Sequence, residues 1–131
     1  MGTTLYSHAT AAPAGSTLHI AGQLSVGRDG GVVGKNDFDA QMRQVLDNLG
    51  AVLEGTGLRF NHIVKFTTYL AHSQEIERFM AIRAELFPRL FGGEAYLPNT
   101  LLIADWLVKE EFPVEIEAVV YADPDDGMRQ P

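Results

Sequence analysis

The chain has 131 residues, 46% of them apolar, with 17 Asp and Glu against 10 Lys and Arg for a formal net charge of −7. That length suits one domain spanning 1–131, and the acidic balance disfavours nonspecific nucleic-acid or anionic-membrane binding, which needs basic patches. With no Cys there is no disulfide, thiol nucleophile or thiolate metal site, which fits a reducing, cytoplasmic setting.

The N-terminal MGTTLYSHATAAPAG has neither the basic region nor the apolar run of a signal peptide, and no Ser or Thr stands at position 6 to complete a myristoylation signal. No apolar run approaches the roughly 20 residues that span a membrane. Thr3 to Tyr6 reads as a short edge strand, and Ala9 to Ser16, with Pro13 and Gly15, as a loop. Thr17 to Ala21 reads as a strand. Gly22 behind it marks a bulge or a place where another group approaches the backbone. Arg28-Asp29-Gly30-Gly31 is a turn signal, and Val32 to Gly34 a short return strand.

Asn36 is placed to cap a helix from about Asp37 to Glu54, ended by Gly55 and Gly57. Phe38, Met42, Val45, Leu46, Leu49, Val52 and Leu53 fall at spacings of three and four, an apolar stripe. The opposite side, with Asp39, Gln41, Arg43, Gln44, Asp47 and Asn48, reads as a solvated face. His62 to Ala71 alternates as a strand, with Val64, Phe66, Thr68 and Leu70 against Lys65, Thr67 and Tyr69. Ser73 is placed to cap a second helix, about Gln74 to Leu86, with Ile76, Phe79, Met80, Arg83, Leu86 and Phe87 inward and Pro88 as its stop.

Pro98 to Ala122 reads as a β-hairpin. Its arms are Thr100 to Leu107 and Val114 to Tyr121, joined by a charged, Pro-containing link. On the second arm Glu115 and Glu117 share one face and Val114, Ile116 and Ala118 the other. The carboxylate face is either solvent or the wall of a polar cleft. Trp106 is expected in the core or an interface, and the tail from 123 to 131 is expected to fray. The histidines show no metal-ligand spacing, so neither a metal nor a cofactor is expected. The element order is β-β-β-α-β-α-β-β, an α+β fold with two helices on one face of a mixed sheet. Its other face is left bare, and a closed oligomer is the usual cover.

Six segments in order resemble the YjgF/RidA (Rid) family. They are Tyr6-Ser7-His8-Ala9, Ala21-Gly22-Gln23, the run from Gln41 to Leu49, Ile63 to Leu70, Pro98-Asn99-Thr100, and Val114-Glu115-Ile116-Glu117-Ala118. The resemblance implies a chorismate-mutase-like homotrimer with small clefts between subunits, acting on a small molecule. It implies hydrolysis of reactive enamines or imines such as 2-aminoacrylate to a keto acid and ammonia, with no cofactor. The family's water-orienting Glu matches Glu115, and its early cleft Tyr matches Tyr6, which is equally suited to packing at a subunit contact. The Arg that grips the substrate carboxylate falls at Thr100, so the chain resembles an Arg-less branch. Exchanging a guanidinium fork for one hydroxyl forfeits roughly 1.5–3 kcal/mol, about 10- to 100-fold in binding.

Asn99 and Thr100 are therefore candidate hydrogen bonders in the cleft, with Gly22 beside them. Arg83 is the candidate replacement cation, unless it snorkels or pairs with a Glu. The expectation is a deaminase built on Glu115. The alternative is a trimer that binds a small metabolite without turning it over.

Overall fold

The computed structural model describes residues 15–93 and 97–127, so the first strand expected at Thr3 to Tyr6 lies outside the described residues. Four strands form one mixed sheet: β1 (Ser16–Gln23), β2 (Ile63–Leu70), β3 (Asn99–Ile103) and β4 (Val114–Ala122). Their order across the sheet is β1-β4-β2-β3. β4 is antiparallel to both β1 and β2, and β3 is parallel to β2. The helices α1 (Phe38–Thr56) and α2 (Ile76–Phe91) pack on one face.

β4 alternates strictly. Val114, Ile116, Ala118, Val120 and Ala122 are buried, and the residues between them are half-buried. The buried set joins Ile20 and Ile63 in one core with Met42, Val45, Leu49 and Leu53 of α1 and Phe79, Ile82 and Phe87 of α2. The apolar stripe read from the first helix is thus the stripe that packs. Its start and stop are shifted slightly. Asp37, not Asn36, is the cap, its side chain accepting from the Ala40 N–H. The helix runs through Gly55 and ends at Gly57, whose φ of 82° is left-handed. The Leu58 N–H then reaches back to the Leu53 carbonyl at 2.9 Å, a Schellman closure.

The hairpin does not form. β3 and β4 are separated by β2, and β3 stops at Ile103 rather than Leu107. β3 instead reaches β2 through α2, the long crossover that a parallel pair requires. The return strand at Val32 to Gly34 reduces to a single bridge between Val26 and Val32.

Pro88 does not stop α2, which continues to Phe91 and closes on Gly92 at φ 73°. A proline costs the helix one hydrogen bond. Here Phe87 and Phe91 pack with each other and with Phe66, ring centroids 5.4–6.2 Å apart, which holds the last turn in place. Ser73 opens a 3-10 turn, Ser73–Glu75, ahead of α2 rather than capping it.

The polar side of α1 is not simply solvated. Gln41 is fully buried and donates to the Gly34 and Glu111 carbonyls. Asn48 donates to the Leu24 and Val26 carbonyls at 2.8 and 3.0 Å, tying the segment after β1 to the helix. The chain after β4 forms a turn at Pro124–Asp126, and Asp126 lies 3.4 Å from His62.

Candidate functional site

The sheet face turned away from the helices carries several of the candidate site residues. Pleating sends Glu115, Glu117, Val119 and Tyr121 of β4 to that side. Lys65, Thr67 and Tyr69 of β2 join them, with Thr100 and Leu102 of β3. Strand register sets the rows. Thr67 lies between Thr100 on β3 and Glu117 on β4, and Tyr69 lies between Leu102 and Glu115.

Gly22 and Glu115 are brought together. The β1–β4 register slips between Ile20 and Gln23, so β1 bulges at Ala21-Gly22. The Glu115 side chain lies against the backbone of Gly22, where a Cβ would collide with its carboxylate. Both readings of that glycine, bulge and close approach, describe what is observed.

Burial pushes the Glu115 carboxyl above its ordinary range, and the charge of Glu117 adds to the shift. Two like charges on one face disfavour the doubly ionised form. Glu117 is itself engaged, its Oε1 accepting from the Tyr69 hydroxyl at 2.5 Å. That bond, more than burial, pushes the Tyr69 phenol upward. The face therefore holds a proton-retentive carboxyl beside a carboxylate bound to a phenol.

Thr100 shares this face but not this corner. β3 and β4 are two strand spacings apart, about 10 Å, and Glu115 leans the other way, toward β1. One small molecule does not touch both residues within a single copy. The Thr100 hydroxyl instead lies 3.5 Å from the Lys65 ammonium, which also donates to Thr67 Oγ1 at 3.2 Å.

Asn99 and Arg83 are on the other side of the sheet. The Asn99 side chain accepts from the buried Thr68 hydroxyl at 2.9 Å. Arg83 is buried on α2, its guanidinium 5.5 Å from the Phe87 ring centroid and its Nε without a partner. Burial alone lowers its proton affinity. The sheet stands between it and Glu115. Tyr6 lies outside the described residues. Sequence reading missed Lys65, because a lysine on the polar parity of a strand looks like any solvated lysine. Its signal was spacing: Lys65 and Thr67 share a face.

Among the described residues no group of three or more His, Asp or Glu is arranged to hold a metal, and no helix is long and apolar enough to cross a membrane. Two clefts, of about 250 and 540 Å³, are lined by Asn36, His72 and Glu110 among others, and not by Gly22, Thr100 or Glu115. Trp106, which lines the larger, and Leu102, Ile103 and Val108 remain 45–66% exposed. Trp106 is thus not a core residue.

A family model described as Endoribonuclease L-PSP matches residues 2–122. A RutC family protein of Pyrococcus horikoshii is 33% identical over 116 residues, covering 88% of this chain and 87% of that one. A 2-iminobutanoate/2-iminopropanoate deaminase of Salmonella typhimurium is 29% identical, covering 80% of this chain and 79% of its own. Among solved structures, a Rid-family protein of Yersinia pestis superposes with a TM-score of 0.81 at 34% identity, covering 91% of this chain and 88% of that chain.

Proposed function

Since the chain belongs to the YjgF/RidA family, matched by the Endoribonuclease L-PSP model over residues 2–122, we propose that it is a hydrolytic deaminase of a small reactive imine or enamine. Glu115 is the acid–base residue. The observation that carries this reading is the Glu115 carboxyl, seated on the bare backbone of Gly22 and raised in proton affinity by burial and by Glu117. A carboxyl so tuned holds a proton more readily than an exposed one and can both accept and return it. The Salmonella relative with an imine deaminase name supports the reaction class.

The chemistry is short. Water adds to the C=N carbon as Glu115 takes one of its protons. Glu115 then returns that proton to the nitrogen of the carbinolamine formed from the protonated imine, the C–N bond breaks as Glu115 takes the hydroxyl proton, and ammonia leaves a carbonyl behind. An enamine first tautomerises to the imine. The endoribonuclease in the family description is a poorer fit, because the net charge is −7 and the open face is led by two glutamates.

In this reading the working unit is a homotrimer. The separation of Thr100 from Glu115 supports it, since a cleft between copies can bring the β3 side of one to the Gly22–Glu115 corner of the next. The exposed Leu102, Ile103, Trp106 and Val108 also want a cover. A stable monomer in sedimentation would remove the shared cleft.

The test is ammonia release from enzymatically generated 2-aminoacrylate and from 2-iminobutanoate. Glu115→Gln is expected to lower the catalysed rate by about 10²- to 10⁴-fold. The threonine at position 100, where the resembled family places its arginine, favours a second reading, a trimer that binds a small metabolite without turnover. That reading takes over if no imine is hydrolysed faster than in buffer.

A further inference from the structure

We propose that Lys65 is the carboxylate clamp of this site, its ammonium held on the Thr67 and Thr100 hydroxyls to receive the carboxylate of a short 2-imino acid. This deepens the deaminase reading above and rests on it for the identity of the site.

The Lys65 ammonium is held by hydroxyls rather than by a carboxylate. The chain carries 17 acidic side chains, and the open face itself presents Glu115 and Glu117. Yet among the described residues the Lys65 ammonium meets no carboxylate within ion-pair distance. The pairs that do form involve Arg43, His62 and Arg78. Lys65 contacts two hydroxyls instead, Thr67 on its own strand at 3.2 Å and Thr100 across the boundary with β3 at 3.5 Å. An ammonium has three N–H donors and no acceptor, so one donor and the full positive charge are left to a ligand.

Register explains the placement. Thr67 and Thr100 are directly paired on the parallel strands β2 and β3. Lys65 lies two residues before Thr67 on the same face, which lets its four-carbon stem lie along the row and set the ammonium between the two hydroxyls. Threonine at position 100 is then a holder of the cation. A larger residue there would take the space that the ammonium occupies.

The geometry also bears on substrate class. Lys65 and Thr100 lie on the β3 side of the face, while Glu115 leans toward β1. Carboxylate and reacting carbon of a 2-imino acid are adjacent atoms, so the clamp of one copy and the Glu115 of its neighbour must approach within a few ångströms across the shared cleft. A lysine grips as a point charge rather than as a planar fork. It selects for the negative charge of the substrate more than for its orientation.

The test uses binding, so that it does not depend on turnover. Pyruvate, the keto product of the simplest such substrate, and its uncharged methyl ester are titrated into the native protein, Lys65→Met and Lys65→Arg. Pyruvate is expected to bind the native protein. Lys65→Met should weaken it about 10- to 100-fold, the loss expected for a charged hydrogen bond. Lys65→Arg should keep it within a few-fold, and the ester should be indifferent to all three. Adding Thr100→Arg to Lys65→Met should restore pyruvate binding.

Equal pyruvate affinity in the native protein and Lys65→Met, no pyruvate binding at all, or an ester that suffers as much as the acid would each overturn the proposal. The outcomes separate from those of the deaminase reading. Lys65-dependent pyruvate binding with no imine hydrolysis keeps the clamp and discards the enzyme. Imine hydrolysis whose KM for charged and uncharged imines is equally unmoved by Lys65→Met keeps the enzyme and discards the clamp.

Discussion

The two faces of the sheet are made from the same strands and obey opposite rules. On the helix side, position after position is apolar and nearly sealed, and of its polar members Thr68 donates to Asn99 while Arg83 Nε has no partner. The open side holds charges, hydroxyls and a phenol, tied to one another and to bare backbone: Tyr69 to Glu117, Lys65 to Thr100, Glu115 to Gly22. One face determines whether the chain folds. The other carries the proposed site, and substitutions should sort accordingly.

The largest expected effect lies on the helix side. Phe79 is 1% exposed and stands in the core between α2 and the sheet. Phe79→Ala should cost about 3–5 kcal/mol, transfer energy plus an unfilled cavity. Urea unfolding should show a lowered midpoint with an unchanged slope. A loss near zero would mean the core collapses around the gap.

Gly22→Ala should do the reverse, sparing the fold and striking the site. The new methyl meets the far end of a flexible Glu115 side chain, not backbone, so stability should change by no more than about 0.5 kcal/mol. The carboxylate, however, must leave its seat, and a displacement near 1 Å costs about 10²-fold in rate. Ammonia-release kinetics read this directly. Native turnover in a well-folded variant would show that the seat is unimportant and would blur the division between the faces.

The same division marks what was legible in the sequence. The stripe from Phe38 to Leu53 and the alternation from Val114 to Ala122 come from side-chain periodicity, so both could be read without coordinates. Strand pairing is not periodic information. A link of six residues between two apolar runs looks like a hairpin, and nothing local says that β2 will lie between them. That misreading hid the Lys65–Thr100 contact, which exists only because β3 pairs with β2. Arg83 is a candidate cation for a separate reason, its place on the second helix. Its position on the inward stripe of α2 was correct, but that stripe faces the core, on the far side of the sheet from Glu115. Gln41 and Asn48 were hidden differently: amides that bind loop carbonyls occupy the same helix positions as amides that bind water.

The smallest effect separates the two sides by the sign of their response to acid. In the helix layer, Asp39 is held below the ordinary carboxylate range, chiefly by its hydrogen bond to Arg78. Its contribution to stability is present above the ordinary value of 3.8 and lost as pH falls through the lowered one. Glu115 runs the other way. Its carboxyl is raised, so its contribution is full below the ordinary 4.5 and is lost as pH rises through the folded value. Glu115→Gln, neutral throughout, should therefore match the native protein in acid and become the more stable of the two as pH rises. The gap stays small, because a half-exposed carboxylate is screened by solvent. Urea midpoints taken from pH 4 to 8 measure it. Parallel curves across that range would mean that Glu115 ionises as freely in the fold as in the open chain, leaving the open face without the proton-retentive group that the proposed chemistry requires.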